Sequence, residues 1–240
     1  MRPLLFARCD PLETFGVAVR AVQDAGAEVR IWDAIDPEAD RPEVGEVDGV
    51  VLFGSSYNVE HADEQPFIKE LRELTREALE RGTPFLGVCF GAQVLAWALD
   101  AEVGKAPVRE VGFEPIHLTP PAASDPLLSH YEDGDMVFQW HMDTFDLPTG
   151  AELLATGDGV RNQAYRMNDR TWGVQYHFEI DEAEIGSWLE AFSREADLGP
   201  TWGKTNEQVL EESRRYLAEH ERKGRETFRR FVNRASALAP

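Results

Sequence analysis

The sequence predicts an α/β protein with a mostly parallel open sheet that carries helices on both faces. Through the first half, short apolar strands alternate with amphipathic helices, which is typical of such a sheet. In the second half, short strands follow one another with few helices between them, which predicts a small antiparallel sheet. From Asp181 onward the spacing of apolar residues is helical again, so the chain should end in helices.

Each strand of the first half is a short apolar run. A helix with Phe15, Ala18 and Val22 on one face should join the first two strands. A longer helix, whose apolar stripe begins at Phe67, should lead into the fourth, and Gly82 is a natural end for it. These strands are predicted at residues 4–7, 28–32, 47–53 and 85–88.

The second half should contain five further strands and then two helices. The two helices are indicated by apolar residues around 209–217 and around 228–232. We expect residues 1–200 to form one domain and residues 201–240 to be a helical extension packed on it, or alternatively an oligomer or partner surface. The strands are predicted at 112–119, 136–140, 152–156, 163–166 and 171–176.

Composition excludes several classes of function. The net charge is −20, from 44 acidic and 24 basic side chains, which disfavours binding to nucleic acid or to anionic membranes. Most of these acids should be solvated, although a basic protein partner is an alternative. Two cysteines make neither a disulfide framework nor a zinc cluster, so we expect a cytoplasmic protein without metal or cofactor. No apolar run is long enough to span a membrane.

Cys89 is the first candidate for chemistry. It stands between Gly87 and Gly91, after an apolar strand and before an apolar helix, as in a nucleophile elbow. Such a turn exposes its central side chain, and a following helix N-terminus favours the thiolate. The alternative is an inert core cysteine, because cysteine is among the most buried residue types.

A cysteine nucleophile needs a base and a group that orients the base. His177 ends an apolar strand, and Glu179 follows two positions later, on the same side of an extended chain. The alternative is a histidine at a strand end beside an exposed glutamate.

Three segments together resemble the class I, or triad, glutamine amidotransferases. They are residues 87–93, 140–145 and 172–179, in that order along the chain. Residues 125–128 and 147–148 are similar to the branch that contains the amidotransferase domain of GMP synthase. The resemblance covers about residues 45–180 and implies a three-layer, flavodoxin-like fold and a free-standing amidotransferase.

The resemblance also implies a mechanism and a site. Cys89 would attack the side-chain amide of glutamine or of a γ-glutamyl compound, and a glutamyl thioester would form as ammonia or an amine leaves. His177 would relay the proton and Glu179 would orient His177. Backbone N–H groups of Ser55 and Phe90 would hold the oxyanion. The implied substrate-binding residues are Gly54, Gln93, His141 and Asp143.

Three readings of function remain open. The first is an amidotransferase that passes ammonia to a separate synthase, since the sequence contains no pyrophosphate-binding loop of its own. The second is a stand-alone γ-glutamyl peptide hydrolase, and the third is an inactive binding or regulatory protein. Three residues depart from the family pattern: Ser55 and Met142 stand where glycine is usual, and Phe178 where proline is usual.

Overall fold

The structure is a computed structural model and describes residues 2–195 and 198–238. In this part of the chain, nine strands form one sheet in the order β2-β1-β3-β4-β9-β8-β7-β5-β6. The strands from β2 to β9 pair in parallel, and those from β9 to β6 pair antiparallel. The predicted α/β fold is therefore confirmed. The strands are β1 Leu4–Arg8, β2 Val29–Asp33, β3 Gly49–Leu52, β4 Phe85–Val88, β5 Val103–Leu118, β6 Met136–Phe145, β7 Glu152–Gly157, β8 Ala164–Asn168 and β9 Thr171–Val174.

The antiparallel half is built around one long strand. The first part of β5 pairs with β6, and its last residues, Ile116 to Leu118, pair with β7. The small antiparallel sheet is thereby continuous with the parallel one. Both β5 and β6 extend further than the apolar runs at 112–119 and 136–140 predicted, because ladder hydrogen bonds continue through polar residues whose side chains need not be buried.

Six α-helices lie in the described residues. The last one corrects a prediction, because residues 206–238 form one continuous helix instead of two. Nothing between the two apolar stretches breaks it, and its internal Gly224 is accommodated because that face packs closely on the carbonyl of Phe178. The helices are α1 Ala18–Asp24, α2 Pro66–Arg81, α3 Phe90–Ala98, α4 Glu182–Glu195, α5 Leu198–Trp202 and α6 Asn206–Leu238.

The sheet has a hydrophobic core on each face. Leu4 and Phe6 of β1 belong to one core, and the alternate residues Leu5 and Ala7 belong to the other. Helices α1 and α6 contribute to the first core, and α2 and α3 contribute to the second. This gives three layers, with the carboxyl ends of β3, β4 and β9 side by side. The division of the chain at residue 200 stays a prediction.

Among the described helices, none combines the length and the apolar character that crossing a membrane requires.

Candidate active site

Cys89 lies on the sharp turn between β4 and α3. Its backbone has φ +50° and ψ −106°, a region that a non-glycine residue rarely adopts. The flanking glycines leave room for the turn, because a Cβ on Gly87 would overlap the carbonyl of Gly91, and one on Gly91 would overlap the carbonyl of Leu52. Cys89 N donates to the carbonyl oxygen of Val174 at 2.7 Å, which ties the turn to β9.

His177 and Glu179 follow β9, the strand next to β4. His177 Nδ1 donates to Glu179 Oε1 at 2.6 Å, and both side chains are buried. Because Nδ1 is engaged by Glu179, Nε2 is left to face the thiol of Cys89. The two-residue spacing therefore brings the imidazole of His177 and the carboxylate of Glu179 into contact. Their roles as base and orienting group stay a prediction.

The pKa of His177 reflects this placement. Burial lowers the pKa, but the charges of Cys89 and Glu179 and the hydrogen bonds to both residues outweigh that effect. The pKa of His177 is raised well above the ordinary value of 6.5. A protonated imidazole beside Cys89 favours the thiolate, which is the nucleophilic form of cysteine.

Gly54 and Ser55 form the turn after β3. A Cβ on Gly54 would lie 2.7 Å from Cε1 of His177, so the absence of a side chain at residue 54 lets the imidazole sit where it does. Ser55 does not require a left-handed conformation, because its φ is not positive. Its Oγ donates to the carbonyl oxygen of Cys9 at 2.7 Å and accepts from Tyr57 N at 3.1 Å. Serine in place of glycine therefore adds two hydrogen bonds to this loop.

The two residues whose backbone N–H groups are predicted to hold an oxyanion both line the pocket that contains Cys89. Phe90 is the first residue of α3, so its N–H has no carbonyl one turn earlier in the helix. Ser55 lines the same pocket from the opposite loop. Both residues therefore border the space next to the sulfur.

Gln93 takes part in a buried chain of amides. Its Nε2 donates to the carbonyl oxygen of Asp143 at 3.2 Å and lies 3.3 Å from Oε1 of Gln175. Nε2 of Gln175 in turn lies 3.6 Å from Sγ of Cys89. Sequence reasoning did not single out Gln175, although a glutamine within an otherwise apolar buried strand segment is a usable signal.

His141 and Asp143 lie on β6 and differ in their surroundings. Both ring nitrogens of His141 have protein partners, since Nδ1 is 3.0 Å from the carbonyl oxygen of Asp143 and Nε2 is 2.9 Å from Oε2 of Glu110. The carboxylate of Asp143 accepts from Asn58 and lies 3.0 Å from Nζ of Lys105. His141 thus serves a buried network, while Asp143 offers a carboxylate that borders the pocket.

Helix α6 braces the segment that carries His177. His220 Nε2 lies 2.8 Å from the carbonyl oxygen of His177 and donates to it. A Cβ on Gly224 would overlap the carbonyl of Phe178, whose ring packs 5.0 Å from that of Phe228. Proline is usual at the position of Phe178 in the family pattern and would stiffen the backbone there. In this protein, contacts with α6 fix the same stretch of backbone. Sequence reasoning missed this role, because the only local signal is a glycine inside a helical stretch.

Two further buried carboxylates lie near Glu179. Burial raises the pKa of Glu13 well above its ordinary value, and the charges of Glu184 and Glu179 raise it further. Burial also raises the pKa of Glu184, to about 7, again with a contribution from Glu179. Thr14 N donates to Glu184 Oε1 at 2.7 Å across 170 residues of sequence, so no local pattern could reveal this cluster. Among the described residues, no group of histidine, cysteine or carboxylate side chains, this cluster included, is arranged to hold a metal ion.

One pocket, open to solvent, collects most of these groups. Cys89 and His177 lie in its wall, and Glu179 lies behind His177. Met142, which replaces a glycine of the family pattern, also borders the pocket and narrows it with an apolar side chain. The wall includes every other residue that the sequence predicted for the site, namely Gly54, Ser55, Phe90, Gln93, His141 and Asp143.

The curated relatives include synthases and a protein of similar size. The chain is 39% identical to GMP synthase [glutamine-hydrolyzing] of Porphyromonas gingivalis over 145 residues, which is 60% of this chain and 27% of the synthase. It therefore spans about a quarter of the length of that relative. It is 26% identical over 189 residues to the glutamine amidotransferase-like protein YfeJ of Salmonella typhimurium, covering 78% of this chain and 79% of YfeJ.

Solved structures share the fold over nearly the whole chain. A glutamine amidotransferase from Thermotoga maritima superposes with a TM-score of 0.86 at 27% identity, covering 96% of this chain and 98% of that one. A glutamine amido transferase from Methylobacillus flagellatus gives 0.88 at 23% identity, covering 98% and 95%, and supports the fold alone.

The family model for glutamine amidotransferase class-I matches residues 15–193. This span contains the cysteine turn, the His177–Glu179 pair and most of the residues that line the pocket. The protein therefore belongs to the class-I glutamine amidotransferase family.

Proposed function

We propose that this protein hydrolyses the side-chain amide of glutamine or of a γ-glutamyl compound, with Cys89 as nucleophile. The observation that carries the proposal is the position of Cys89. Its strained turn presents the sulfur to an imidazole that Glu179 holds at 2.6 Å and whose pKa is raised by both neighbours. Membership of the family makes this chemistry the expected one.

The reaction proceeds in two halves. The thiolate of Cys89 attacks the amide carbon, and a carbon–sulfur bond forms while the carbonyl oxygen gains negative charge. His177 then gives its proton to the leaving nitrogen, and the carbon–nitrogen bond breaks to release ammonia or an amine. Water attacks the glutamyl thioester, its proton passes to His177, and glutamate leaves as the thiolate is restored.

Backbone N–H groups of Phe90 and Ser55 stabilise the oxyanion in both halves. Such donors act where charge develops, and one of them is typically worth a factor of about 10²–10³ in turnover. Asp143 suits the α-ammonium group of the substrate, because it is a buried carboxylate at the pocket wall. Gln93 acts less directly, by holding the backbone of Asp143 and the amide of Gln175.

The proposal is tested by following ammonia and glutamate release from glutamine and from a panel of γ-glutamyl amides. We expect Cys89→Ala to abolish turnover of every member. Cys9→Ala is the matched control, because Cys9 is the second free cysteine and burial raises the pKa of its thiol. Turnover that persists in Cys89→Ala would overturn the assignment of the nucleophile.

The fate of the ammonia is a separate part of the proposal. The segment that this chain matches makes up 27% of the GMP synthase relative, so a separate ammonia-accepting synthase is one candidate partner. Glutamine turnover that stays negligible until a synthase is added would support that partner. Partner-free turnover of γ-glutamyl amides would support a stand-alone hydrolase instead. An inactive binding protein would show neither activity.

A further inference from the structure

Four aromatic side chains form a continuous wall in the pocket that contains Cys89. Trp140 lies on β6, Trp188 and Phe192 lie on α4, and Trp202 lies on α5. From this wall we infer that the site accepts γ-glutamyl amides whose leaving amine carries an aromatic group. The inference rests on the proposed function and specifies its substrate.

The wall is centred on Trp140. Its ring centroid lies 5.8 Å from that of Trp188, 4.9 Å from that of Phe192 and 6.0 Å from that of Trp202. Trp140 and Trp188 are 6% and 7% exposed, whereas Phe192 and Trp202 keep more of their surface accessible. The aromatic surface thus begins deep in the pocket and continues outward. Ammonia, the leaving group from glutamine, would leave this surface uncovered.

The position of the wall relative to His177 tells which end of the substrate it meets. The Trp188 ring packs edge-on against the imidazole of His177, with centroids 4.8 Å apart. His177 delivers the proton to the leaving nitrogen, so a substituent on that nitrogen starts beside Trp188. It then has Trp140 and Phe192 within reach as it extends. An aromatic ring suits these neighbours, because tilted and edge-to-face pairs stabilise beyond simple burial.

Trp140 also has an unused hydrogen-bond donor. Its indole Nε1 is buried and has no acceptor among the described residues. Buried donors in native proteins are almost always paired, and a ligand could pair with this one after a small movement of the indole ring that opened Nε1 to the pocket. An acceptor atom near the aromatic ring of the amine, such as the carboxylate of an aromatic amino acid, would fit it. γ-Glutamyl derivatives of aromatic amines or aromatic amino acids are therefore the substrate class.

The test compares γ-glutamylphenethylamide with γ-glutamylethylamide, whose parent amines have similar basicity. We expect kcat/KM to be about 10- to 100-fold higher for the phenethyl compound, from burial of the ring. Phe192→Ala should reduce this preference to below about one third of its value. Ser187→Ala, at an exposed position of the same helix, is the control and should leave both rates unchanged.

Binding to Cys89→Ala separates the two proposals. The affinity of this variant for each amide, measured by calorimetry or by tryptophan fluorescence, does not depend on turnover. Equal dissociation constants for the two amides would overturn the inference and leave the proposed function standing. Tighter binding of the phenethyl compound, without Cys89-dependent turnover of any amide by the wild-type protein, would overturn the proposed function instead. Acceptance of glutamine alone would overturn the inference only.

Discussion

Gly54→Ala should displace the imidazole of His177 and reduce activity without removing any functional group. The added Cβ would lie 2.7 Å from Cε1 of His177, whereas ordinary contacts of this kind begin at 3.4 Å. The ring would have to retreat by about 0.7 Å, the difference between these distances. Trp188 packs on the ring and resists the movement, and the 2.6 Å bond to Glu179 would be distorted.

A misplacement of about 1 Å at a reacting group costs about 10²-fold in rate. We therefore expect kcat/KM of Gly54→Ala to fall by about 30- to 100-fold for any amide that the wild type hydrolyses. The assay is ammonia or amine release under the same conditions as for the wild type.

Gly104→Ala is the matched control for this experiment. A Cβ on Gly104 of β5 would meet no atom within 4 Å, so the Gly104→Ala variant should have the activity and Tm of the wild type. If Gly54→Ala kept wild-type kcat/KM, the close approach of Gly54 to His177 would not matter for catalysis.

Three further changes act through groups behind the pocket. His220→Leu should lower kcat about tenfold, because the carbonyl oxygen of His177 loses its hydrogen-bond donor. Steady-state kinetics can check this, with His220→Gln as the control, since glutamine keeps an N–H donor and should retain the wild-type kcat. Gly224→Ala should lower Tm by several degrees, because the new Cβ overlaps the Phe178 carbonyl, and an unaltered melting curve would contradict this. The pKa of Glu184 is raised to about 7 in the folded protein, whereas its ordinary value is 4.5. Between pH 4.5 and pH 7 the folded protein therefore holds a proton that the unfolded chain has released, so the stability of the protein should fall as pH rises through this range. Glu184→Gln should make the decline of Tm with pH less steep. Parallel plots of Tm against pH for the variant and the wild type would contradict this prediction.

The proposed chemistry could be predicted from the sequence because its residues lie in short, contiguous motifs. Gly87, Cys89 and Gly91 specify a sharp turn through local sterics, and the turn is present with Cys89 at φ +50°. His177 and Glu179 are close because residues two apart in an extended segment share a side. The parallel pairing of β4 with β9 then brings these two motifs to the same edge of the sheet.

Other groups depend on contacts between distant parts of the chain, which no local pattern encodes. Ser55 shows this, since only the loop geometry explains why a serine is accommodated there and what its hydroxyl binds. The carboxylate of Glu184 on α4 accepts a hydrogen bond from the loop at Thr14, 170 residues earlier in the chain. The wall around Trp140 likewise exists only after α4 and α5 have packed on β6.

By itself, the sequence determined the fold class, the cysteine turn and the pairing of His177 with Glu179, because each follows from local sterics or from the periodicity of a strand or helix. The tertiary structure alone decided that α6 is one helix, that His220 and Gly224 brace the His177 segment, and that aromatic rings line the pocket beside His177. The physical reason is that burial and packing between remote elements depend on the whole arrangement, whereas a motif depends only on its neighbours in the chain.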